Sequence, residues 1–366
     1  MANYIINLVN TITRMDKENQ YFVFVAESNR NWFAWDRDNV HEVLCSVKTE
    51  SPLIRRMWEL FILPRIVRKN KLDILHCPTN IVPPFIGCRA VVTFLDCQFF
   101  HPSAKHSFLR RTFNRVFMRW SFRKSLAIMT ISNSMKDEIL NYFGNSHKAI
   151  HVTHLGHDLN DSNDKGAGCG PIGQKLGLNR KYILFVGFPH HRKNLVRLVN
   201  AFAIARSKLG EPYDLVLCGD FNTSIESDWP NILKAIEELA IKDNVRFVDY
   251  AERADLWNLI ADAQMLAFPS LYEGFGLPVV EAMACGTPVL TSDIEVMHEI
   301  AGDAATYVDP YNVDDIAEGM CNVLSDDALK NDLSIKGRGR AAQFTWENTA
   351  EKTLECYHRI GREKTT

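Results

Sequence analysis

The chain has 366 residues, of which 46% are hydrophobic and 23% are charged, and its formal net charge at pH 7 is −2. This length predicts two domains, and the balanced composition excludes a disordered or fibrous chain. The sequence contains no run of 18 apolar residues and no secretory signal pattern, which excludes a transmembrane helix and disfavours export.

The first half of the chain is basic and is predicted to alternate strands with helices. Residues 1–150 carry 21 Lys and Arg residues against 12 Asp and Glu residues, whereas the remainder is acidic. This contrast indicates separate domains with different partners. Helical periodicity predicts helices at 51–70, 108–125 and 134–144. Apolar runs predict strands at 21–26, 41–46, 72–77, 90–95 and 127–132.

A polar segment leads into a more regular second half. Residues 158–175 are rich in Asp, Asn and Gly, which is typical of a linker. Beyond it, apolar strands are predicted at 182–187, 214–219, 245–250, 265–270, 288–292 and 305–309, with amphipathic helices between them. This alternation predicts a doubly wound parallel sheet, whose ligands bind beyond the carboxyl ends of the strands. We predict domains over 1–158 and 181–342, a linker over 159–180 and a C-terminal helix over 343–366.

The loop after the fourth strand of the second half carries the strongest motif. Residues 273–277 read Glu-Gly-Phe-Gly-Leu, and Pro278 then suits the first turn of a helix. The glycines let backbone approach a ligand closely, and a helix start favours a phosphate. We expect Glu281 to fall in the first turn, near Glu273, where both carboxylates can accept hydrogen bonds from sugar hydroxyls. Gly286 is expected to end this helix.

A second loop of the same kind follows the first strand of the second half. Gly187 ends that strand, and Arg192 and Lys193 are predicted at the start of the next helix. Two cations there oppose the helix dipole unless an anion shares the site. A diphosphate is such an anion, because it accepts hydrogen bonds from both cations and from the helix N–H groups.

The predicted helix 108–125 is basic and amphipathic. An arginine stripe runs along one face, and aromatic side chains supply apolar bulk. One interpretation is a helix that lies on an anionic membrane. The other is a helix whose apolar side packs in the core and whose arginine stripe is solvated. A nucleic-acid partner is not predicted, because the net charge is slightly negative and no such motif occurs. The stripe consists of Arg111, Arg115, Arg119 and Arg123.

Cysteines and histidines do not predict a metal site. The nine cysteines are scattered and form no CxxC pair, which favours buried free thiols in a reducing cytosol. His151, His154 and His157 recur at every third residue. The segment around them is predicted to be a strand that runs into a turn, so the three side chains would not converge on a metal.

Taken with these motifs, residues 180–350 resemble the donor domain of the retaining glycosyltransferases of family 4, which have the GT-B fold. The resemblance rests on Glu273 and Glu281 as an EX7E motif, on the Arg192–Lys193 loop, and on segments 245–263 and 286–310. Within the family the chain is similar to bacterial mannosyltransferases that build O-antigen. The resemblance implies an α/β protein of two Rossmann-like domains whose parallel sheets face a central cleft, with the acceptor on the first domain and the donor on the second.

The resemblance also implies roles for individual residues. Arg192 and Lys193 would hold the donor diphosphate, beside Gly187. Glu281 would bind the ribose, and Glu273 would hold the transferred sugar. The backbone at Val248 and Tyr250 would meet the base, and amides of the motif loop would contact sugar and phosphate, namely those of Gly274, Phe275, Gly276 and Leu277. In the first half, weaker matches nominate His76, Asp96 and Ser132 on the acceptor side.

Three departures from the family pattern stand out. Leu95 occupies a position that is often His, and Phe188 one that is Arg in other members. The sequence also begins in the helix that follows the usual first strand and glycine-rich loop, so we expect the first domain to lack both.

By resemblance, the donor is a nucleotide sugar, with GDP-mannose favoured, and no cofactor or metal is implied. The acceptor is a glycan or an undecaprenyl-linked glycan in cell-surface polysaccharide synthesis. We expect a cytoplasmic protein, with peripheral contact to the inner membrane through 108–125 left open. Two alternatives also stay open: a non-catalytic sugar-nucleotide-binding partner, and another enzyme of the same fold, such as a sugar-nucleotide epimerase or a phosphorylase.

Overall fold

The computed structural model describes residues 2–27, 37–45, 52–101, 108–144, 148–159, 177–178, 180–221, 227–249 and 251–362. It divides into two compact units. The first unit comprises Met1–Gly156 together with Thr345–Thr366, and the second comprises His157–Phe344. Most of the predicted linker lies outside the described residues. Within the described ranges, no helix is long and apolar enough to cross a membrane.

The strands of the first unit form two parallel sheets, as the alternating pattern predicts. The first described element is helix α1, Ala2–Met15. Strands β1 (Tyr21–Ala26) and β2 (Val40–Cys45) then pair with each other. A four-stranded sheet has the order β3-β4-β5-β6. Its strands are β3 (Ile74–Cys77), β4 (Arg89–Phe94), β5 (Ala127–Thr130) and β6 (Ile150–Val152).

One predicted helix of the first unit is in fact two. The expected helix over 51–70 is broken at Ile62, giving α2 (Pro52–Phe61) and α3 (Leu63–Lys69). Pro64 explains the break, because proline lacks an N–H and is tolerated only in the first turn of a helix. The other helices of this unit are α4 (Phe108–Lys124), α5 (Asn133–Phe143) and, after the second unit, α13 (Trp346–Arg362).

Helix α13 completes the core of the first unit, although it follows the second unit in sequence. Cys356 and Ile360 are buried against Val91, Ala127 and Met129 of the four-stranded sheet. Burying apolar side chains on both partners is the main term that stabilises such packing. The start of helix α13 lies close to the backbone at Gly156. A Cβ atom at that position would lie 2.2 Å from the amide nitrogen of Trp346.

Part of the predicted arginine stripe of helix α4 folds onto the protein, and the membrane interpretation of this helix stays a prediction. Arg111 Nε and Arg115 Nε donate to the Phe99 carbonyl at 3.2 Å and 2.8 Å, and Arg119 lies over the ring of Phe100. The apolar side chains of one face are exposed instead. Backbone carbonyls in residues 98–101 and the ring of Phe100 attract these arginines away from solvent. The pattern of a helix considered alone does not reveal such partners. The exposed apolar face consists of Leu109, Phe113, Val116 and Trp120.

The second unit is a six-stranded parallel sheet with helices between its strands. The strands are β7 (Lys181–Val186), β8 (Tyr213–Cys218), β9 (Val245–Val248), β10 (Met265–Phe268), β11 (Val289–Ser292) and β12 (Thr306–Val308). The helices are α6 (Leu195–Lys208), α7 (Trp229–Glu238), α8 (Arg253–Asp262), α9 (Leu277–Cys285), α10 (Glu295–Ala301), α11 (Val313–Ser325) and α12 (Asp327–Ala341). All six predicted strands are confirmed to within two residues at each end.

The strand order of this sheet reverses at one place. The order is β12-β11-β10-β7-β8-β9, so the chain leaves β7 in one direction and returns to its other side with β10. The two central strands pair directly, with Met265 opposite Ile183 and Leu266 opposite Leu184. In open parallel sheets, ligands bind beyond the carboxyl ends of the strands at such a reversal. The loops after β7 and β10 therefore form the expected ligand-binding position of this unit.

Candidate functional site

The loops that follow β7 and β10 are joined by backbone and side-chain hydrogen bonds. The amide of Leu271 donates to the carbonyl of Arg192 at 2.7 Å. The side-chain amide of buried Asn194 donates to the carbonyls of Pro269, at 3.0 Å, and Pro310, at 2.6 Å. The sequence prediction placed Arg192 and Lys193 at a helix start, but they lie in a 3-10 turn over His191–Lys193, and Asn194 separates them from α6.

Glu273 lies between the two cations of the first loop. Its Oε1 is 2.5 Å from Lys193 Nζ, and its Oε2 is 2.9 Å from Arg192 Nη1. Lys193 and Glu273 are buried, whereas the Arg192 side chain is about a third exposed. Lys193 Nζ also lies 4.3 Å from the centre of the Phe268 ring. The sequence argument required an anion beside the two cations, and in this structure a carboxylate supplies it.

The cluster carries one more positive charge than negative charge. Burial alone would raise the pKa of Glu273, but the charges of Arg192 and Lys193 lower it to about 2. Burial and the neighbouring Arg192 lower the pKa of Lys193 to about 8, against the opposing effect of Glu273. One carboxylate therefore does not balance the two cations, and an additional anion at this place would be stabilised by charge-assisted hydrogen bonds.

Glycines at the ends of two adjacent strands leave bare backbone beside this cluster. Gly187, with φ 150°, follows β7, and a side chain there would lie 3.5 Å from the Lys193 side chain and 3.2 Å from the Phe185 ring. Gly219, with φ 159°, follows β8, and a side chain there would lie 2.1 Å from the carbonyl oxygen of Gly187. Both positions therefore require glycine if the two strand ends are to stay this close.

The start of helix α9 adjoins the Glu273 loop and has no side-chain cap. Gly276 stands at its N-cap in the left-handed conformation, with φ 97°, and Pro278 lies in the first turn as predicted. Phe275 is buried with its ring against Phe344, so its side chain faces the core. Gly286 ends the helix in the left-handed conformation, as predicted. An uncapped helix start presents N–H groups and a partial positive charge to an anion.

Glu281 lies one turn further along α9 than predicted. It is the fifth residue of the helix and belongs to its second turn, because α9 starts at Leu277. The carboxylate is 97% buried, and its Oε1 forms an ion pair with Arg253 Nη2 at 2.7 Å, without the alignment of a hydrogen bond. Arg253 Nε donates to both carboxylate oxygens of Asp158 at 3.0 Å.

This second cluster carries one more negative charge than positive charge. Burial raises the pKa of Glu281 to about 6, although Arg253 opposes the shift and Asp158 adds to it. Burial would lower the pKa of Arg253, but its two carboxylate partners raise it instead. Excess negative charge suits hydrogen-bond donors such as hydroxyl groups. The unit therefore has a positive cluster around Glu273 and a negative cluster around Glu281, and these two glutamates lie on the loop and the helix of one motif.

The remaining predicted residues lie in several places. Val248 ends β9, and its carbonyl accepts a hydrogen bond from the Gly219 amide at 2.9 Å. Tyr250 lies outside the described residues. In the first unit, Asp96 follows β4, and Ser132 caps α5 by accepting a hydrogen bond from the Met135 amide. Their assigned roles remain predictions.

His76 is held by two hydroxyl groups of the first unit. Its Nδ1 is 2.6 Å from the hydroxyl of Tyr357 and its Nε2 is 2.6 Å from that of Thr93. Burial lowers its pKa to about 4, so the ring is neutral at pH 7. These contacts give His76 a structural role in joining α13 to the sheet, and its predicted place on the acceptor side stays a prediction.

Sequence reasoning missed Asn194, Arg253 and Asp158. Arg253 is the first residue of α8, where an arginine opposes the helix dipole. The same argument that drew attention to Arg192 and Lys193 therefore applied to Arg253. Asp158 lies at the edge of the polar segment taken for a linker, and no local pattern distinguished it from the other acidic residues there.

Two family models match the chain. The model described as glycosyl transferases group 1 matches residues 172–340, which include both charge clusters apart from Asp158. The model described as glycosyltransferase family 4 matches residues 1–161.

Curated relatives of the chain include mannosyltransferases by name. The chain is 30% identical over 327 residues to the O-antigen chain mannosyltransferase B of Escherichia coli, covering 87% of this chain and 83% of the relative. It is 26% identical over 262 residues to the O-antigen chain mannosyltransferase RfbU of Salmonella typhimurium, covering 71% and 67%.

Solved structures share the fold across both units. Sucrose-phosphate synthase from Thermosynechococcus elongatus matches with a TM-score of 0.77 and 18% identity, covering 98% of this chain and 92% of that one. WaaG, a glycosyltransferase of lipopolysaccharide biosynthesis, matches at 0.76 and 18%, covering 97% and 95%. Anabaena HepE in complex with UDP-glucose matches at 0.77 and 17%, covering 98% and 95%. The predicted fold class of two α/β domains with parallel sheets is confirmed.

Proposed function

Since the chain belongs to the family 4 glycosyltransferases, we propose that it transfers mannose from GDP-mannose, with retention of anomeric configuration. The proposed acceptor is a glycan or an undecaprenyl-linked glycan of O-antigen or a related surface polysaccharide. One observation carries the donor assignment: Arg192 and Lys193 converge on Glu273 at the reversal point of the second sheet, in a cluster of two cations and one carboxylate.

The diphosphate of the donor fits this excess positive charge. It would take hydrogen bonds from Arg192, whose side chain is partly exposed, and from the uncapped start of α9. Lys193 is buried and already held by Glu273, so it would offer a fixed charge that needs little reorganisation. As the bond to the sugar breaks, negative charge grows on the leaving phosphate, and the two cations stabilise it. The leaving phosphate would accept the proton of the acceptor hydroxyl.

Glu281 is the proposed partner of the ribose. Its ionised carboxylate accepts hydrogen bonds from hydroxyl groups, and Arg253 holds the charge in place. Asp158 in turn holds Arg253 through two hydrogen bonds. We therefore assign Arg253 and Asp158 as positioning residues for Glu281 rather than as direct contacts of the donor.

The names of relatives support the class of donor and the favoured sugar. HepE is solved with UDP-glucose, which supports a nucleotide sugar as the donor class. The two O-antigen chain mannosyltransferases support mannose. We propose that the acceptor binds to the first unit, where Asp96, His76 and Ser132 are the candidate acceptor-side residues.

Contact with the inner membrane through α4 is part of the proposal. The exposed apolar face described above lies opposite the buried residues Met118, Ser121 and Phe122. The helix has six basic residues and no acidic residue, so an anionic bilayer is the surface that its charge complements. Such a contact places the enzyme beside a lipid-linked acceptor at the cytoplasmic face.

The direct test is a screen of nucleotide sugars against the purified protein, with and without lipid-linked glycan, read by mass spectrometry. We expect GDP and a mannose-extended glycan to form only when GDP-mannose and acceptor are both present. Conversion of the donor without acceptor would instead indicate an epimerase. Donor binding with no transfer to any acceptor tested would favour the non-catalytic alternative and would contradict the proposal.

The pH dependence of kcat/KM should be bell-shaped, because two donor-binding groups titrate in the free enzyme. The pKa of Glu281 is raised to about 6, so ribose binding by its carboxylate is lost as pH falls below 6. The pKa of Lys193 is lowered to about 8, so its charge is lost as pH rises above 8. Initial rates at limiting donor from pH 5 to pH 9.5 measure both limbs.

Two variants assign the limbs of this profile. Glu281→Gln should abolish the acid limb, since glutamine does not titrate. Arg192→Gln should move the alkaline limb to higher pH, because Arg192 is one of the groups that lower the pKa of Lys193. A profile that is flat from pH 5 to pH 9, or limbs that neither variant moves, would reject these assignments.

A further inference from the structure

A basic cavity of about 380 Å³ opens in the first unit, where α4 ends beside the sheet and α13. Its volume falls within the range of small-molecule sites, roughly 300 to 1,000 Å³. Residues from the end of α4, the starts of β5 and β6, and α13 line it. The charged or titratable residues among them are Arg123, Lys124, Lys148, His151 and Arg359.

Among the described residues, no carboxylate lines this cavity. For Arg123, Lys124 and Arg359, the described part of the chain provides no carboxylate at ion-pair distance. Lys148 already has hydrogen-bond partners. Its Nζ donates to the carbonyls of Phe122 and Ser125, each at 2.8 Å, at the end of α4. Lys148 thus satisfies the negative end of the α4 dipole, and three cations around the cavity have no ion-pair partner within the described ranges.

His151 also lines the cavity, and one of its ring nitrogens is buried behind the cavity surface. His151 Nε2 is inaccessible to solvent and has no hydrogen-bond partner among the described residues. A buried polar atom of this kind costs free energy unless a ligand or water satisfies it. Burial and the charge of Arg359 lower the pKa of His151, while Glu355 on α13 opposes the shift. The ring is therefore neutral at pH 7 and adds no charge to the cavity.

The position of the cavity separates it from the proposed transfer chemistry. It is lined by Ala127, the first residue of β5, and by Ala149, directly before β6. It therefore lies at the amino ends of these parallel strands. Asp96 and Ser132 follow the carboxyl ends of β4 and β5, at the opposite edge of the same sheet. The cavity is a separate place on the first unit.

The exposed apolar face of α4 leads toward the cavity. Leu109, Phe113, Val116 and Trp120 recur at intervals of four, three and four residues, which places them on one side of the helix. Arg123 follows Trp120 by three residues and continues that side. Leu126, which lines the cavity, is exposed as well. An apolar surface next to a pocket of cations matches the two parts of an anionic lipid.

We propose that the cavity between the end of α4, the starts of β5 and β6, and α13 is a second ligand site of this protein, and that it binds a phosphate group. The group belongs to an anionic lipid headgroup or to a soluble phosphorylated compound. Arg123, Lys124 and Arg359 supply the charge that holds it. This site is independent of the donor cluster and does not require the proposed transfer reaction.

Lysine acetylation followed by mass spectrometry tests the site locally. Inorganic pyrophosphate should protect exposed Lys124 from acetylation in a saturable manner, while exposed Lys352 on α13 keeps its reactivity. Protection should persist in a Lys193→Met variant, so failure of the donor site and failure of this site are distinguishable. Absence of saturable protection at Lys124 in the parent protein would overturn the proposal.

A matched pair of variants on α13 separates a built site from general surface charge. Arg359→Gln removes a cavity residue, whereas Arg362→Gln removes an exposed arginine one turn away that does not line it. Loss of one charged hydrogen bond should raise the pyrophosphate concentration for half-protection about tenfold in Arg359→Gln. Arg362→Gln should behave like the parent. Equal weakening in both variants would overturn the proposal, because it indicates diffuse attraction only.

Vesicles distinguish the two sources of phosphate. With phosphatidylcholine vesicles containing phosphatidylglycerol, a headgroup ligand predicts protection of Lys124 that Arg359→Gln weakens and Arg362→Gln does not. If pyrophosphate protects Lys124 but vesicles give no such specific protection, the site binds a soluble phosphorylated ligand. Protection by neither probe contradicts the site itself.

Discussion

Replacing Lys193 with methionine is expected to reduce kcat by about 100-fold or more at saturating donor, as loss of one preorganised charge contact typically does. Methionine keeps most of the volume of this buried side chain and its contact with the Phe268 ring, so the change chiefly removes the charge. Because Lys193 would act on charge that develops at the leaving phosphate, kcat should fall more than donor affinity. Steady-state rates and a donor titration measure both quantities.

Lys181→Met is the matched control for this prediction. Lys181 belongs to the same unit and pairs with Glu211 at 2.5 Å, but both side chains are more than half exposed. Exposed ion pairs contribute little, so turnover and stability should stay near those of the parent. If Lys193→Met kept more than a tenth of the parental kcat, the charge of Lys193 would not stabilise the leaving group.

Replacing Glu273 with glutamine should destabilise the protein and reduce turnover together. The change leaves Arg192 and buried Lys193 adjacent with no anion between them. Removing one partner of a buried ion pair typically costs about 3 to 5 kcal/mol. The pKa of Glu273 is lowered from 4.5 to about 2, so its stabilising effect is present above pH 4.5 and is lost as pH falls toward 2. Thermal unfolding at pH 7 therefore measures the full effect.

Anion rescue makes this prediction specific. Pyrophosphate should raise the unfolding temperature of Glu273→Gln more than that of the parent, because the added anion replaces the missing carboxylate. Any other anion site contributes equally to both proteins and cancels in the comparison. Glu238→Gln, which removes an exposed carboxylate 3.6 Å from Lys234, should show neither effect. Equal stabilisation of parent and Glu273→Gln by pyrophosphate would mean that the cluster does not bind phosphate.

The sequence predicted the second unit well because its signals are local. Apolar runs such as 182–187 and 265–270 are buried strands in the structure, and Pro278 and Gly286 mark the two ends of α9 as expected. Both motif loops follow strands, so the general rule for parallel sheets placed them at the same edge. The direct contact between Lys193 and Glu273 then follows from the pairing of β7 with β10.

What the sequence did not predict depends on contacts between distant segments. The position of α13 in the first unit depends on apolar residues such as Cys356 finding the sheet more than 200 residues earlier. Asp158 meets Arg253 across 95 residues, and no local pattern predicts that hydrogen bond. Arg111 and Arg115 of α4 find backbone acceptors in residues 98–101, so part of the stripe that a helical projection would leave in solvent folds onto the protein.

In the proposed donor complex, one diphosphate is held by the Arg192–Lys193 loop and the start of α9. A crystal structure of the protein with its nucleotide-sugar donor tests this most directly. We expect phosphate oxygens within about 3 Å of Arg192 and Lys193, close to the amide of Leu277. A donor whose diphosphate contacts neither cation, with Glu273 still pairing both, would contradict it.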